Sequence, residues 1–121
     1  MKKQNGLNLI ELMTVVAIIA VLATIALPLF LNYMSNSANR SCMAEVKAYS
    51  NSVFVALADG SVNISPPTIS ACQWITDASD IENLSADSVL DAFPVSPGDT
   101  GVRCNLNAAG SCFLENSITN N

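Results

Sequence analysis

The chain has 121 residues, of which 50% are apolar and only 12% are charged, and its formal net charge is −5. This length predicts one domain and is too short for a TIM barrel or a two-domain enzyme, while the apolar fraction argues against intrinsic disorder. The acidic balance argues against direct nucleic-acid binding, and the absence of histidine excludes Ser-His-Asp and Cys-His catalysis and every histidine-based metal site.

The surplus of apolar residues lies in one N-terminal segment. Residues 1–31 hold 21 apolar residues, whereas residues 32–121 hold 40, which is an ordinary globular fraction. From Leu12 to Leu31 the only residues outside the apolar set are Thr14, Thr24 and Pro28. Twenty such residues in a helix span about 30 Å, the thickness of a bilayer core, so this segment predicts a transmembrane helix.

The charges around this segment predict its orientation. Lys2 and Lys3 precede it, and no charged residue occurs between Glu11 and Arg40. The positive-inside rule therefore places the N-terminus in the cytoplasm and the C-terminal part of the chain outside. A cleaved secretory signal is the alternative, but the apolar run is long and continues into a second helical pattern, which argues against cleavage after it.

The stretch Gly6–Ile19 resembles the N-terminus of type IV pilin precursors, in particular a type IVa-like major pilin. That family has a short basic leader ending in Gly, a Glu at the fifth mature position and a Pro at the twenty-second. Here Gly6 ends the leader, Leu7 is the first mature residue, and the two later positions are Glu11 and Pro28. There are three departures from the family pattern: Leu7 replaces Phe, Asn8 replaces Thr and Ala20 replaces Gly.

The resemblance implies a processing step at Gly6. In this family the prepilin peptidase, a membrane aspartyl protease, cuts after this glycine on the cytoplasmic side and N-methylates the new amino terminus. Leu7 would then become N-methyl-leucine. The apolar helix would first hold the subunit in the inner membrane and later pack with sister helices in the core of a filament.

Glu11 is the only charged residue close to the apolar run. A carboxylate that sits deep in a membrane costs of order 2–3 kcal/mol, so it needs a partner or an interfacial position. The resemblance implies that its partner is the α-amine of a neighbouring subunit, a pairing that would set the axial register of each docking subunit. Two alternatives remain, an interfacial Glu11 favoured by the helix dipole and a contact with its own N-terminus. Glu11 could contact its own N-terminus at one stage and the α-amine of a neighbouring subunit at another.

Pro28 is the second residue to which the resemblance assigns a role in assembly. Proline removes one backbone hydrogen bond and crowds the preceding turn. It predicts a kink or, under filament packing, a locally extended stretch over 20–28. A mild bend of the kind that membrane helices tolerate is the alternative.

An apolar stripe continues beyond Pro28 with steps of three and four residues, which mark one helical face. Its members are Met34, Ala38, Cys42, Val46, Tyr49, Val53 and Leu57. Polar residues including Asn39, Arg40 and Lys47 are assigned to the other faces of the helix. Because Asp59-Gly60 is a plausible helix stop, we expect one helix of roughly 50 residues that ends there.

The rest of the chain predicts a small head. Residues 61–80 contain Pro66-Pro67 and many hydroxyl residues, so we expect mostly loop, with Trp74 and Ile75 anchoring it on the helix. Residues 80–92 are predicted as a short helix. Residues 101–106 and 111–115 are predicted as the two strands of a hairpin.

The expected fold class is α+β, with a long N-terminal α-helix packed on a small disulfide-stapled head that contains a short antiparallel sheet. The leader is expected at residues 1–6 and the transmembrane or filament-core half of the helix at 7–32. The amphipathic half follows at 33–60, and the head, with its loop region and C-terminal hairpin, at 61–121.

Four cysteines, at positions 42, 72, 104 and 112, allow three pairings, and an exported chain is expected to form disulfides. Cys104 and Cys112 flank the predicted hairpin, and Cys42 lies on the apolar stripe that the loop around Cys72 must cover. These positions favour the pairs Cys42–Cys72 and Cys104–Cys112. The resemblance supports only the second pair, because pilins commonly close a C-terminal loop with one disulfide.

Two metal sites are alternatives for the cysteines and for the acidic residues. The four cysteines could form a zinc site, but their spacing and the exported compartment argue against it. The acidic residues between 77 and 99 suggest calcium, but no EF-hand spacing is present, so a solvated acidic surface is preferred. We therefore expect no metal and no cofactor.

The resemblance implies a non-enzymatic structural subunit of a type IV pilus, a surface fibre used for adhesion, twitching motility and DNA uptake. The implied partners are identical subunits in a helical filament, the inner membrane before assembly, the prepilin peptidase and the assembly machinery. The implied location is the inner membrane for the precursor and the extracellular pilus afterwards. A minor pilin and a pseudopilin of a type II secretion system are the alternatives. A DNA-receptor pilin would need a basic stripe that this chain lacks.

Overall fold

The computed structural model describes residues 6–61, 63–79, 85, 87–107 and 110–119. Within them the chain forms one helix, α1 (Leu9–Ala58), and four strands, β1 (Cys72–Ile75), β2 (Val89–Pro94), β3 (Gly101–Asn105) and β4 (Ser111–Glu115). The strands form one antiparallel sheet in the order β1-β2-β3-β4. The α+β fold with a long N-terminal helix and a short antiparallel sheet is therefore confirmed.

The chain divides into two units, Met1–Tyr33 and Met34–Asn121. In the first unit every described residue is exposed. From here on, the head means the whole second unit, Met34–Asn121, and not only residues 61–121. It contains the C-terminal part of α1, the sheet and the loops.

The C-terminal end of α1 is set by a glycine, as the sequence predicts. Gly60 has a φ of 69°, the left-handed conformation that glycine adopts without steric cost. The Ser61 N–H donates to the Ala56 carbonyl at 2.9 Å, and the Gly60 N–H donates to the Leu57 carbonyl at 3.2 Å. This pair of bonds is a Schellman motif, which satisfies carbonyls that the last helical turn leaves open.

The core of the head lies between α1 and the inner face of the sheet. The helix contributes Cys42, Val46 and Val53, which are members of the predicted stripe and have no exposed surface. The sheet and the residue that follows β3 contribute Leu90, Ala92, Val102, Cys104 and Leu106. Burying a Val or Leu side chain stabilises the fold by about 1.5–3 kcal/mol. Met34, the first member of the stripe, is exposed and lies outside this core.

The predicted helix over 80–92 is wrong at its C-terminal end, because Val89–Pro94 forms strand β2. Residues 80–84 and 86 lie outside the described residues. Burial alternates along β2, with Leu90 and Ala92 in the core. Asp91 points to the other face, where its carboxylate accepts two hydrogen bonds from Arg103 on β3 at 2.7 and 3.0 Å. A helix could not place these neighbouring side chains on opposite faces with a period of two.

The segment predicted as loop, residues 61–80, contains strand β1 near its end. Ile75 is buried in the core, as expected for an anchor, but it is held in the sheet rather than in a loop. The pairing of β1 with β2 is irregular between Cys72 and Trp74, which marks a β-bulge. A four-residue strand with a bulge carries too little alternation to be recognised from sequence.

The hairpin predicted over 101–106 and 111–115 is present as β3 and β4. The chain that follows β4 returns to β3, because Ile118 is buried against Gly101. A Cβ atom at position 101 would overlap the Ile118 side chain, so only glycine allows this close approach.

Candidate processing and assembly segment

The segment from Gly6 to Tyr33 presents its whole surface to the surroundings. Every residue in it is exposed, including Leu9 at 77% and Ile10 at 69%. In the described part of the chain, α1 is the one helix long and apolar enough to cross a membrane, and its most apolar stretch is not buried. So much contiguous apolar surface needs cover from lipid or from other protein.

Glu11 makes one of the two hydrogen bonds of a capping box at the first turn of α1. Asn8 precedes the first helical residue, and its carbonyl accepts the N–H of Leu12 at 3.1 Å. The Glu11 carboxylate reaches back and accepts the Asn8 N–H at 3.1 Å through Oε2. A carboxylate three residues after the N-cap satisfies an open backbone donor and interacts favourably with the helix dipole. In the structure, therefore, Glu11 contacts the first turn of its own helix, and its pairing with an α-amine stays a prediction.

Gly6 lies immediately before the helix, outside any regular element. A Cβ atom built at this position meets no other atom within 4 Å, and its φ lies outside the left-handed region. The fold therefore does not require glycine at position 6. Leu7, next to it, is exposed at 76%. An exposed peptide bond between the two residues fits recognition by a protease.

We expect the substitution Gly6→Leu to block processing while leaving the fold unchanged. A Cβ atom at this position meets open space, so a processing defect would not come from a disturbed fold. The mass of the membrane-bound chain, measured intact, should correspond to the uncut precursor. Intact Cys42–Cys72 and Cys104–Cys112 disulfides, shown by non-reducing electrophoresis, serve as the folding control. A variant cut as completely as the wild type contradicts the assignment.

Pro28 lies inside α1, which runs through it without interruption. The two threonines of the segment have local partners: the Thr14 hydroxyl donates to the Glu11 carbonyl at 2.8 Å, and the Thr24 hydroxyl donates to the Val21 carbonyl at 2.7 Å. These bonds satisfy polar groups that would otherwise be costly in an apolar environment. The extended stretch over 20–28 was expected for the assembled state and stays a prediction.

Two disulfides staple the head. Cys42 on α1 is bonded to Cys72 on β1, with a Cα–Cα distance of 4.7 Å. Cys104 on β3 is bonded to Cys112 on β4, with a Cα–Cα distance of 4.1 Å. These are the two pairs that the sequence favours. Because all four sulfurs are used, the alternative of a zinc site built from the cysteines is wrong. The described residues also contain no group of three or more side chains placed to hold a metal ion.

Asn39 was assigned to a polar face of the helix, and this assignment is wrong. The residue is only 2% exposed, and its side chain binds the loop between β2 and β3. Its Oδ1 accepts the N–H groups of Asp99 and Thr100 at 3.0 and 3.2 Å, and its Nδ2 donates to the Asp99 carboxylate at 2.9 Å. A buried amide is tolerated here because the loop satisfies both ends of it.

Two further polar side chains of α1 hold loops by their backbone amides. The Glu45 carboxylate accepts the N–H groups of Ser70 and Ala71 at 2.7 and 2.6 Å, next to the disulfide at Cys72. The Tyr49 hydroxyl accepts the N–H of Ala78 at 3.1 Å, and burial raises the pKa of this tyrosine. The signal in the sequence is a polar residue on or beside the apolar stripe, which a count of apolar residues alone overlooks.

The contact between Asn39 and Asp99 predicts a pH-dependent stability. Hydrogen bonds donated by Asn39, Thr100 and Ser35 lower the pKa of the Asp99 carboxyl below its usual value. Its contribution to stability is therefore present above the unfolded pKa of about 3.9 and is lost as pH falls through the lower native pKa. We expect Asp99→Asn to be less stable than the wild type at pH 7 and the difference to shrink below pH 4. Thermal unfolding of the detergent-solubilised chain from pH 7 to pH 2 measures this.

The partner substitution, Asn39→Ala, is the matched comparison for this pH dependence. It removes one of the three donors to the same carboxylate, so its stability difference from the wild type should contain part of the same decrease at low pH, on top of a constant loss from the buried site. Curves that stay parallel to the wild type across the whole pH range would contradict the role of the Asp99 carboxylate.

A family model described as the prokaryotic N-terminal methylation motif matches residues 1–27. The matched residues include Gly6, Leu7 and Glu11 and end just before Pro28. No solved structure matches the chain significantly. The motif is the prepilin signal of pilins and pseudopilins, and its match supports a type IV pilin-like precursor.

Proposed function

We propose that this chain is a non-enzymatic structural subunit of a type IV pilus, made as a membrane-anchored precursor and assembled into an extracellular filament of identical subunits. The observation that carries the proposal is the fully exposed apolar surface from Leu7 to Leu31, located in a segment that matches the methylation motif. That surface suits the lipid of the inner membrane before assembly and the sister helices of a filament afterwards. The adhesive, motile and DNA-uptake roles of such fibres belong to this proposal.

Processing would prepare the N-terminus for assembly. Cleavage after Gly6 removes Lys2 and Lys3 and creates a positively charged amine on Leu7. This amine lies four residues from Glu11, in an otherwise uncharged segment. N-methylation at Leu7 would be carried out by the same peptidase.

Glu11 would then pair with the amine of a neighbouring subunit. Among the residues that the structure describes, the Asn8 N–H donates to Oε2 of Glu11, and a carboxylate has acceptor capacity for more than one donor. The intramolecular cap and the intersubunit pair can therefore exist together. Because the surrounding surface is apolar, one axial stagger satisfies both charges, and other staggers leave each charge buried without a partner.

Mass spectrometry of filaments sheared from the cell surface tests this proposal. We expect this chain to be their dominant component and to begin at N-methylated Leu7. A minor pilin would be present as a small fraction of the filament protein. A pseudopilin of a secretion system would remain in the membrane fraction, and its absence from sheared filaments would overturn the proposal.

A further inference from the structure

The head is strongly acidic, yet the proposed filament brings many copies of it together. Residues 34–121 carry three cations and nine carboxylates, a net charge of −6. Arg103 is already engaged, since it forms ion pairs with Asp91 at 2.7 Å and Glu115 at 2.8 Å. The remaining cations, Arg40 and Lys47, are exposed on α1, and neither forms a salt bridge to any residue that the structure describes.

Arg40 and Lys47 lie on one face of α1. They are seven residues apart, which is two helical turns and about 10.5 Å along the axis. Ala44 lies between them on the same face and is exposed. Because its side chain is small, the surface over Ala44 is open, and both long cationic side chains can reach it. A carboxylate placed over Ala44 would therefore meet two positive charges.

Asp59 is the carboxylate of the head that lacks a partner within the described residues. The other described carboxylates of the head each accept a hydrogen bond: Glu45, Asp77, Asp87, Asp91, Asp99 and Glu115. Asp59 is exposed and lies at the C-terminal end of α1, whose last turn contains no basic residue. A negative charge at this end of a helix is unfavourable, so this position favours a cation from elsewhere.

The geometry of α1 prevents Asp59 from meeting either cation within one chain. Twelve residues separate Lys47 from Asp59, and nineteen separate Arg40 from it, which correspond to about 18 and 28 Å along the helix. These distances exceed the reach of the side chains. Complementary charges that cannot meet within one subunit can meet between two staggered copies.

We propose that Asp59 of one subunit docks over Ala44 of another copy of this chain, between Arg40 and Lys47. The inference rests on the proposed filament function and deepens it by naming a contact between heads. The contact is head-to-tail, because the patch at 40–47 and the helix end at 59 are different surfaces, so it propagates along a filament instead of closing a dimer. It would also offset the repulsion between acidic heads.

Charge reversal tests the contact in cells that assemble the full-length chain. We expect Lys47→Glu and Asp59→Lys each to lower the yield of sheared filaments about tenfold, because each places like charges opposite one another. The double variant Lys47→Glu/Asp59→Lys restores the opposite charges and should recover the yield to within about twofold of the wild type. Yields are normalised to the amount of disulfide-intact subunit in the membrane. Asp87→Lys, which makes the same charge change at another exposed site, should assemble like the wild type.

A second variant keeps the test decisive if charge reversal lowers subunit levels. Ala44→Glu places a carboxylate at the proposed docking position itself, within reach of Arg40 and Lys47 of the same chain. It should reduce assembly, and it should leave the fold unchanged because position 44 is exposed on the helix. Wild-type yield from either single variant, an unrescued double variant at normal membrane level, or full assembly of Ala44→Glu overturns the contact. Wild-type filaments that lack this chain would instead overturn the proposed function.

Discussion

Replacing Glu11 by alanine is expected to leave processing intact and to lower the yield of filaments by tenfold or more. The peptide bond proposed for cleavage, after Gly6, lies outside the helix, and the hydrogen bond of the Glu11 carboxylate goes to Asn8 and not to either residue of that bond. In the proposed filament the substitution would remove the partner of a buried amine, and breaking such a pair typically costs about 3–5 kcal/mol. Quantitative mass spectrometry of the sheared fraction and the membrane fraction measures both steps. Filament yield equal to that of the wild type would refute the register role of Glu11.

Glu11→Gln separates capping of α1, which the structure shows, from the proposed ion pair with a neighbouring subunit. Glutamine retains an oxygen that can accept the Asn8 N–H, so the capping box and the start of α1 are preserved. It carries no charge and cannot form an ion pair with the amine of a neighbour. We expect Glu11→Gln to assemble as poorly as Glu11→Ala. Assembly restored by Gln alone would assign Glu11 to capping rather than to pairing.

The helix could be predicted almost completely because its signals are strong and local. A long apolar run, a stripe with steps of three and four residues and a Gly stop agree with one another, and α1 ends at Ala58, directly before the predicted stop. The hairpin of β3 and β4 was also predictable, since two runs that favour strands flank a polar turn. These elements depend on residues close in sequence, which pattern analysis captures.

Strands β1 and β2 could not be recognised because their form depends on distant partners. The order Val89, Leu90, Asp91, Ala92, Phe93 fits a short helix as well as a strand, and only pairing with β3 decides between them. In that pairing Asp91 lies opposite Arg103, which supplies its ion pair. Tertiary context of this kind outweighs local propensity in a short segment.

Polar residues of the helix were misassigned for a different reason. Asn39 follows the spacing of the buried stripe, but a search for apolar residues passes over it. The local signal at the N-terminus was likewise present, since Asn8 stands three residues before Glu11 in the arrangement of a capping box. In both cases a side chain accepts hydrogen bonds from backbone N–H groups that burial or a helix end would leave without a partner. A search for polar side chains near such unpaired N–H groups would have found them.

Helix α1 combines two kinds of surface in one continuous element. From Leu12 to Leu31 it is exposed and nearly all apolar, so its contacts must come from outside the chain. From Asn39 to Val53 it is the scaffold of the head, where it contributes apolar side chains to the core and polar acceptors to the loops. In the proposed filament, contacts made by the first half therefore need not change the side chains that the second half contributes to the head.

Removing the Cys42–Cys72 disulfide is expected to destabilise the head more than removing the Cys104–Cys112 disulfide. The bond joins α1 to β1 across 30 residues of chain, whereas Cys104–Cys112 spans only 8. We expect Cys42→Ala/Cys72→Ala to lower the free energy of unfolding by about 2–4 kcal/mol. Urea unfolding of the detergent-solubilised chain can be followed by the fluorescence of Trp74, the only tryptophan, which lies two residues from Cys72.

The matched control for this prediction is Cys104→Ala/Cys112→Ala. If a disulfide acts mainly by restricting the unfolded chain, removing Cys42–Cys72 should lower the free energy of unfolding by about 1 kcal/mol more than removing Cys104–Cys112, because it closes the longer loop. Both bonds lie against the same core, since Cys42, Cys72 and Cys104 are buried in it and the half-buried Cys112 packs against it, so the expected loss of packing is no larger for the Cys104–Cys112 variant. Equal losses, or a larger loss from the short hairpin bond, would show that native packing around the sulfurs outweighs loop closure and would contradict the predicted order.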